Sequence, residues 1–114
     1  MAKLVADDAS RLVAKICTPA EEQYVASGNK VSRLAKVWAA KEAAVKALGT
    51  GFAKGVSFKD ITLTHDSLGK PELTFSGRAA EILQTEIQAN SARILVSLSD
   101  DKPFVQAVVI IEKI

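Results

Sequence analysis

Two residues on one predicted helix carry the clearest chemical potential in this sequence. Glu42 and Lys46 lie four residues apart in Lys41-Glu42-Ala43-Ala44-Val45-Lys46-Ala47-Leu48, followed by Gly49-Thr50-Gly51. On a wheel at about 100° per residue, Glu42 falls between Trp38 and Val45, inside the apolar face, and Lys46 lies one turn further on at its edge. A carboxylate in that position is costly unless a partner or a cation satisfies it. An ammonium one turn away could neutralise a phosphate. The same spacing also describes an ordinary i,i+4 ion pair on a solvated face, and a Gly-x-Gly after a helix is often just its cap. Spacing alone does not choose between these readings.

The remaining candidates are weaker. His65, the only histidine, stands beside Asp66 at a predicted strand end, where turn chemistry explains it. Cys17 falls on the apolar side of a short helix and reads as a buried, inert thiol. Asp7-Asp8 would sit near a helix start, favoured there by the helix dipole. No Ser-His-Asp set, metal-spaced Cys/His cluster or phosphate-loop signature is present.

These residues need a scaffold to hold them. Residues 3–17 read as a first helix. Thr18-Pro19-Ala20-Glu21 then starts a second, with threonine as N-cap, proline at the first helical position and Glu21 completing a capping box. Gly28-Asn29 stops it. Residues 30–48 give the strongest helical period, with Val31, Leu34, Trp38, Val45 and Leu48 on one face. The period then changes to two. A strand is expected over about 56–65, irregular near Lys59-Asp60, and a returning strand over 72–76 after the turn at 66–71. A helix over 78–88 follows. Strands over 93–99 and 104–112 are joined by Asp100-Asp101-Lys102-Pro103. This order predicts an α+β fold in which an antiparallel sheet packs on helices, with residues 1–114 as one domain.

Bulk properties narrow the function classes. The formal charge is +2 and 48% of residues are hydrophobic, with no Lys/Arg stripe to suggest nucleic acid. No apolar run approaches the ~20 residues of a membrane span. One cysteine excludes an intrachain disulfide and suits a reducing, cytoplasmic setting. Aromatics are only 5%, so the core is built from small aliphatic residues, which invites oligomerisation.

The run from Trp38 to Gly51 resembles the signature of the holo-acyl carrier protein synthases, within the 4′-phosphopantetheinyl transferases. Phe58-Lys59-Asp60-Ile61, Gly69-Lys70-Pro71-Glu72-Leu73, Val96 to Asp101 and Val108 to Glu112 are similar to further blocks of that family, in the same order. The resemblance covers residues 10 to 113. It implies transfer of the 4′-phosphopantetheine arm of coenzyme A to a serine of apo-acyl carrier protein, with magnesium as cofactor. On that mapping Glu42 is a metal ligand and Lys46 binds phosphate and stabilises the leaving group. Lys46, Gly49, Gly51, Lys70, Pro71 and Ser99 would form the coenzyme A cleft. Arg11 and Lys15 would dock the acidic carrier protein, and the assembly would be a homotrimer.

Two departures from the family pattern stand out. Relatives open with a Gly-x-Asp strand whose aspartate is the other main metal ligand. This sequence instead opens at Ala2-Lys3-Leu4, with Asp7-Asp8 out of register for that role. Val37 stands where many relatives carry arginine. The expectation is an incomplete metal site that weakens transfer. The alternative is a degenerate member that binds coenzyme A, a carrier protein or another partner without transfer.

Overall fold

The computed structural model describes residues 6–85, 92–101 and 104–113. Helices α1 (Ala6–Ile16), α2 (Pro19–Ala26) and α3 (Lys30–Leu48) come first. A 3₁₀ turn (Phe58–Asp60), strands β1 (Ile61–His65) and β2 (Pro71–Phe75), and helix α4 (Gly77–Thr85) follow. Strands β3 (Ala92–Asp101) and β4 (Phe104–Lys113) end the fold. The α+β reading holds, with the strands arranged as two antiparallel hairpins, β1–β2 and β3–β4.

α3 is the spine, and it lies chiefly against β4, with further contacts to α1, α2 and β1. Its ends are set locally. The Asn29 side chain accepts from the Ser32 N–H at 2.9 Å, and Gly49 closes the helix at φ 90°, a left-handed conformation that suits glycine. Its buried residues are Leu34, Val37, Ala40, Lys41, Ala44, Val45 and Leu48. The alanines let neighbouring elements approach closely, and Ile16, Val25, Ile61, Leu63 and Ile82 pack into the same core.

Three details differ from the sequence expectations. Val56, Phe58 and their neighbours are not a strand: β1 begins at Ile61. Ser57-x-x-Asp60 forms a turn instead, in which the Ser57 N–H donates to Asp60 Oδ2 at 3.1 Å, and this is the irregularity read at Lys59-Asp60. On α3 the buried ionic residue is Lys41, while Glu42 is only half-buried. Val31, assigned to the apolar face, is exposed. The helix carries alanine on several sides, which blurs where its apolar stripe lies.

Candidate functional site

Glu42 and Lys46 occupy the C-terminal half of α3, one turn apart, the first half-buried and the second exposed. They do not form an ion pair with each other, and neither has a hydrogen-bonding partner among the described residues. That removes the helix-stabilising i,i+4 bridge as their explanation. Among the described residues nothing occupies either group, which leaves both available to a ligand.

The glycine loop beyond them is a tight cap. The N–H groups of Gly49, Thr50 and Gly51 all point back to the Val45 carbonyl, at 3.1, 3.2 and 3.2 Å. They are therefore not arranged as free donors for an anion. Gly49 and Gly51 both have positive φ, and no atom lies within 4 Å of where a Cβ would stand on either. Phe52, just after the loop, packs on Phe58 with ring centroids 4.0 Å apart and planes tilted by 35°, and Phe58 meets Trp38 edge-on at 6.4 Å. Trp38 and Glu42 are themselves one turn apart on α3.

A cavity of about 290 Å³ opens elsewhere, lined by Lys36 of α3, His65 and Pro71 of the β1–β2 hairpin, and Leu98 and Asp100 of β3. Asp100 is held toward α3 by Lys36 at 3.5 Å and by the Ser32 hydroxyl at 3.4 Å. His65 stacks on Tyr24 with ring centroids 4.5 Å apart, and the Arg33 guanidinium covers the Tyr24 ring at the same distance. Burial, followed by the nearby Lys36 and Arg33 charges, holds the His65 imidazole below its ordinary range, against Asp66. A second cavity of about 270 Å³ separates β2 from β3 and is lined by Lys70, Pro71 and Val96, among others.

The residues singled out in the sequence are thus distributed. Pro71 lines both cavities and Lys70 the second, whereas Glu42, Lys46, Gly49, Gly51 and Ser99 line neither. Arg11 and Lys15 are exposed on α1, one turn apart. Val37 is fully buried in the core. The side chains of Asp7 and Asp8 lie outside the described residues. Cys17 is buried, and that burial, reinforced by the Glu21 carboxylate, pushes its thiol up to about 11.

One polar centre escaped the sequence reading. Lys41 and Glu21 are both 0% exposed and pair at 2.7 Å. Lys41 Nζ also donates to the carbonyls of Ile16, Phe58 and Ile61, at 2.6, 2.6 and 2.7 Å. Glu21 accepts from the Thr18 N–H at 2.9 Å, as the capping box requires, and from the Leu63 N–H at 2.7 Å. Burial pulls the Lys41 ammonium below the usual lysine range, while the hydrogen bond and charge of Glu21 oppose the shift. The available signal was positional: Lys41 continues the stripe Leu34, Val37, Ala44, Leu48.

Similarity to known proteins coincides with this geometry. A holo-acyl-carrier-protein synthase of Vibrio cholerae serotype O1 is 47% identical over 112 residues, covering 97% of this chain and 86% of the relative. Another from Zymomonas mobilis is 45% identical over 97 residues, covering 84% and 72%. Among solved structures, the holo-acyl-carrier-protein synthase of Neisseria meningitidis matches with TM-score 0.76 at 37% identity, covering 94% of this chain and 90% of that one. That of Helicobacter pylori, solved in complex with coenzyme A, matches with TM-score 0.73 at 29% identity, covering 95% and 87%. The family pattern for the 4′-phosphopantetheinyl transferase superfamily spans residues 2–104, and on this agreement of sequence and fold the chain belongs to that superfamily.

Proposed function

We propose that this protein transfers 4′-phosphopantetheine from coenzyme A to a serine of apo-acyl carrier protein. The observation that carries this reading is the Glu42/Lys46 pair: a carboxylate and an ammonium one turn apart on α3, unpaired among the described residues. In the transfer, the serine hydroxyl attacks the β-phosphorus of coenzyme A. The bond to the nucleotide oxygen breaks, and adenosine 3′,5′-bisphosphate leaves. Lys46 would neutralise charge developing on the leaving group, which is where phosphoryl-transfer enzymes gain most. Gly49, Gly51, Lys70, Pro71 and Ser99 are proposed to border the coenzyme A cleft.

Magnesium fits this arrangement in a limited way. Glu42 offers one hard oxygen donor, and no group of three metal-ligating side chains occurs among the described residues. Magnesium commonly binds through one or two carboxylates, several waters and substrate phosphates, so Glu42 with a bound pyrophosphate is a consistent set. When bound, the metal would polarise the phosphoryl group. Were Glu42 the only protein ligand, the site would be incomplete and would suit a relative that binds coenzyme A without transfer.

Arg11 and Lys15 are proposed to dock the acidic carrier protein, since both are exposed on one side of α1. A homotrimer is proposed on the family resemblance, and the outer face of the β3–β4 hairpin is a surface it would bury. There Leu95 and Ile110 face each other across the ladder with Val108 nearby, all exposed, as expected of a surface that self-associates. No helix among the described residues is long and apolar enough to cross a membrane, and a cytoplasmic setting, where coenzyme A and carrier protein occur, completes the proposal.

Chromatography of a mixture with coenzyme A, magnesium and apo-acyl carrier protein tests the reading. Adenosine 3′,5′-bisphosphate released only when all three are present supports transfer. Coenzyme A binding without release supports the binding-only alternative.

A further inference from the structure

The buried Lys41–Glu21 pair joins three stretches of the chain: residues 16–21 at the α1–α2 junction, the middle of α3, and residues 58–63 from the 3₁₀ turn into β1. Lys41 projects from the middle of α3 to the Ile16 carbonyl at the end of α1, to Phe58 in the 3₁₀ turn and to Ile61 in β1. Glu21, in the first turn of α2, ties the same point to Thr18 and to Leu63 of β1. The Ile16 carbonyl is among the last of its helix, where no intrahelical donor is available, and Lys41 satisfies it. The end of α1 is therefore registered to one particular residue of α3.

The sequence neighbours of these bonded residues are informative. Ile16 follows Lys15, and Lys41 precedes Glu42. One hydrogen bond of 2.6 Å thus lies between the surface assigned to carrier docking and the residue assigned to the metal. Stability alone does not call for ions here, since well-packed apolar side chains often replace a buried pair without loss. An apolar contact could slide with little cost, whereas moving the ammonium would pull it from four oxygens that surround it at 2.6–2.7 Å.

We propose that Lys41, through its pair with Glu21, is a positioning residue. It holds the Arg11/Lys15 helix in register with the Glu42/Lys46 helix, so that a docked carrier protein presents its serine to the phosphoryl group. This rests on the transferase reading above. A misplacement of about 1 Å between reacting groups can cost about 10²-fold in rate, so the register matters at the scale of a single hydrogen bond.

The test is steady-state kinetics of the Glu21→Gln/Lys41→Met double variant, which removes both charges while keeping volume, with folding checked by circular dichroism. The expected result is a kcat reduced at least about 10-fold, with KM for carrier protein and Kd for coenzyme A by calorimetry each within about two-fold of wild type. Should the double variant not fold, Glu21→Asp keeps both charges and withdraws the carboxylate by one methylene, and the same split is expected. A folded variant with unchanged kcat, or one that loses coenzyme A affinity instead, overturns the proposal. A wild type that is itself inactive contradicts the transferase reading and takes the proposal with it; an active wild type with an unaffected variant contradicts the proposal alone.

Discussion

Glu21 and Lys41 meet at 2.7 Å with neither side chain reaching solvent, in a core made otherwise of aliphatic residues and the thiol of Cys17. Removing one partner strands the other. Lys41→Ala leaves a buried carboxylate without its counter-charge and three carbonyls without their donor, so a loss of about 3–5 kcal/mol is expected. Urea unfolding of the variant against wild type measures it. A loss below about 1 kcal/mol, the range of an exposed pair, would show that water reaches this site.

Two of the three groups with shifted ionisation among the described residues, His65 and Cys17, act on opposite flanks of pH. His65 is held below its ordinary 6.5 by burial, so the unfolded chain takes up the proton first. Its stabilising contribution is present above 6.5 and is lost as pH falls below that value. Cys17 is raised from 9.0 to about 11, so its contribution is present below 9.0 and is lost as pH rises toward 11. His65 should therefore lower urea midpoints on the acidic flank and Cys17 on the alkaline one, where the lowered Lys41 acts in the opposite direction. His65→Phe, which can still stack on Tyr24, should flatten part of the acidic decline, and Cys17→Ala part of the alkaline one. Parallel curves for variant and wild type would contradict the assignment.

Charge reversal on α1 should weaken docking and leave chemistry intact. Both side chains are exposed and lie one turn apart, so Arg11→Glu/Lys15→Glu is expected to keep its melting temperature. KM for the carrier protein should rise about 10-fold or more while kcat changes little, with the wild-type advantage shrinking as salt is added. Kinetics across a salt series reads both effects. An unchanged KM would move the docking surface elsewhere.

How much of this was legible in the sequence depended on range. The ends of α3 follow from Asn29 and Gly49, whose capping acts over a few residues, and they fall where the sequence placed them. The Thr18–Glu21 cap was equally visible. The second role of Glu21 was not, because its partner is twenty positions away and lysine ordinarily reads as surface. The strand expected from Val56 failed because a local turn, Ser57 to Asp60, overrode an alternation of apolar residues. Lys36, His65, Pro71 and Asp100 come from separate elements and share a cavity only through packing. Local pattern carries no trace of such a meeting.

The outer face of the β3–β4 hairpin carries its own prediction. Leu95 and Ile110 are partners across the ladder and are 38% and 50% exposed, an apolar pair bordered by the Arg93–Glu112 bridge at 3.7 Å. If the proposed homotrimer forms through this face, Ile110→Glu should dissociate it to monomers in analytical ultracentrifugation while preserving the circular dichroism of the fold. A wild type that sediments as a monomer would contradict the trimer.

The central claim is that Glu42 and Lys46 serve phosphoryl transfer. It is tested most directly by intact mass spectrometry of apo-acyl carrier protein after incubation with coenzyme A, magnesium and either wild type, Glu42→Gln or Lys46→Ala. The account predicts a phosphopantetheine adduct with wild type. Initial rates should fall at least about 10²-fold in each variant, with melting temperatures unchanged because neither side chain has a partner among the described residues. An adduct formed equally fast by both variants, or none formed by wild type while a known transferase succeeds alongside, would contradict it.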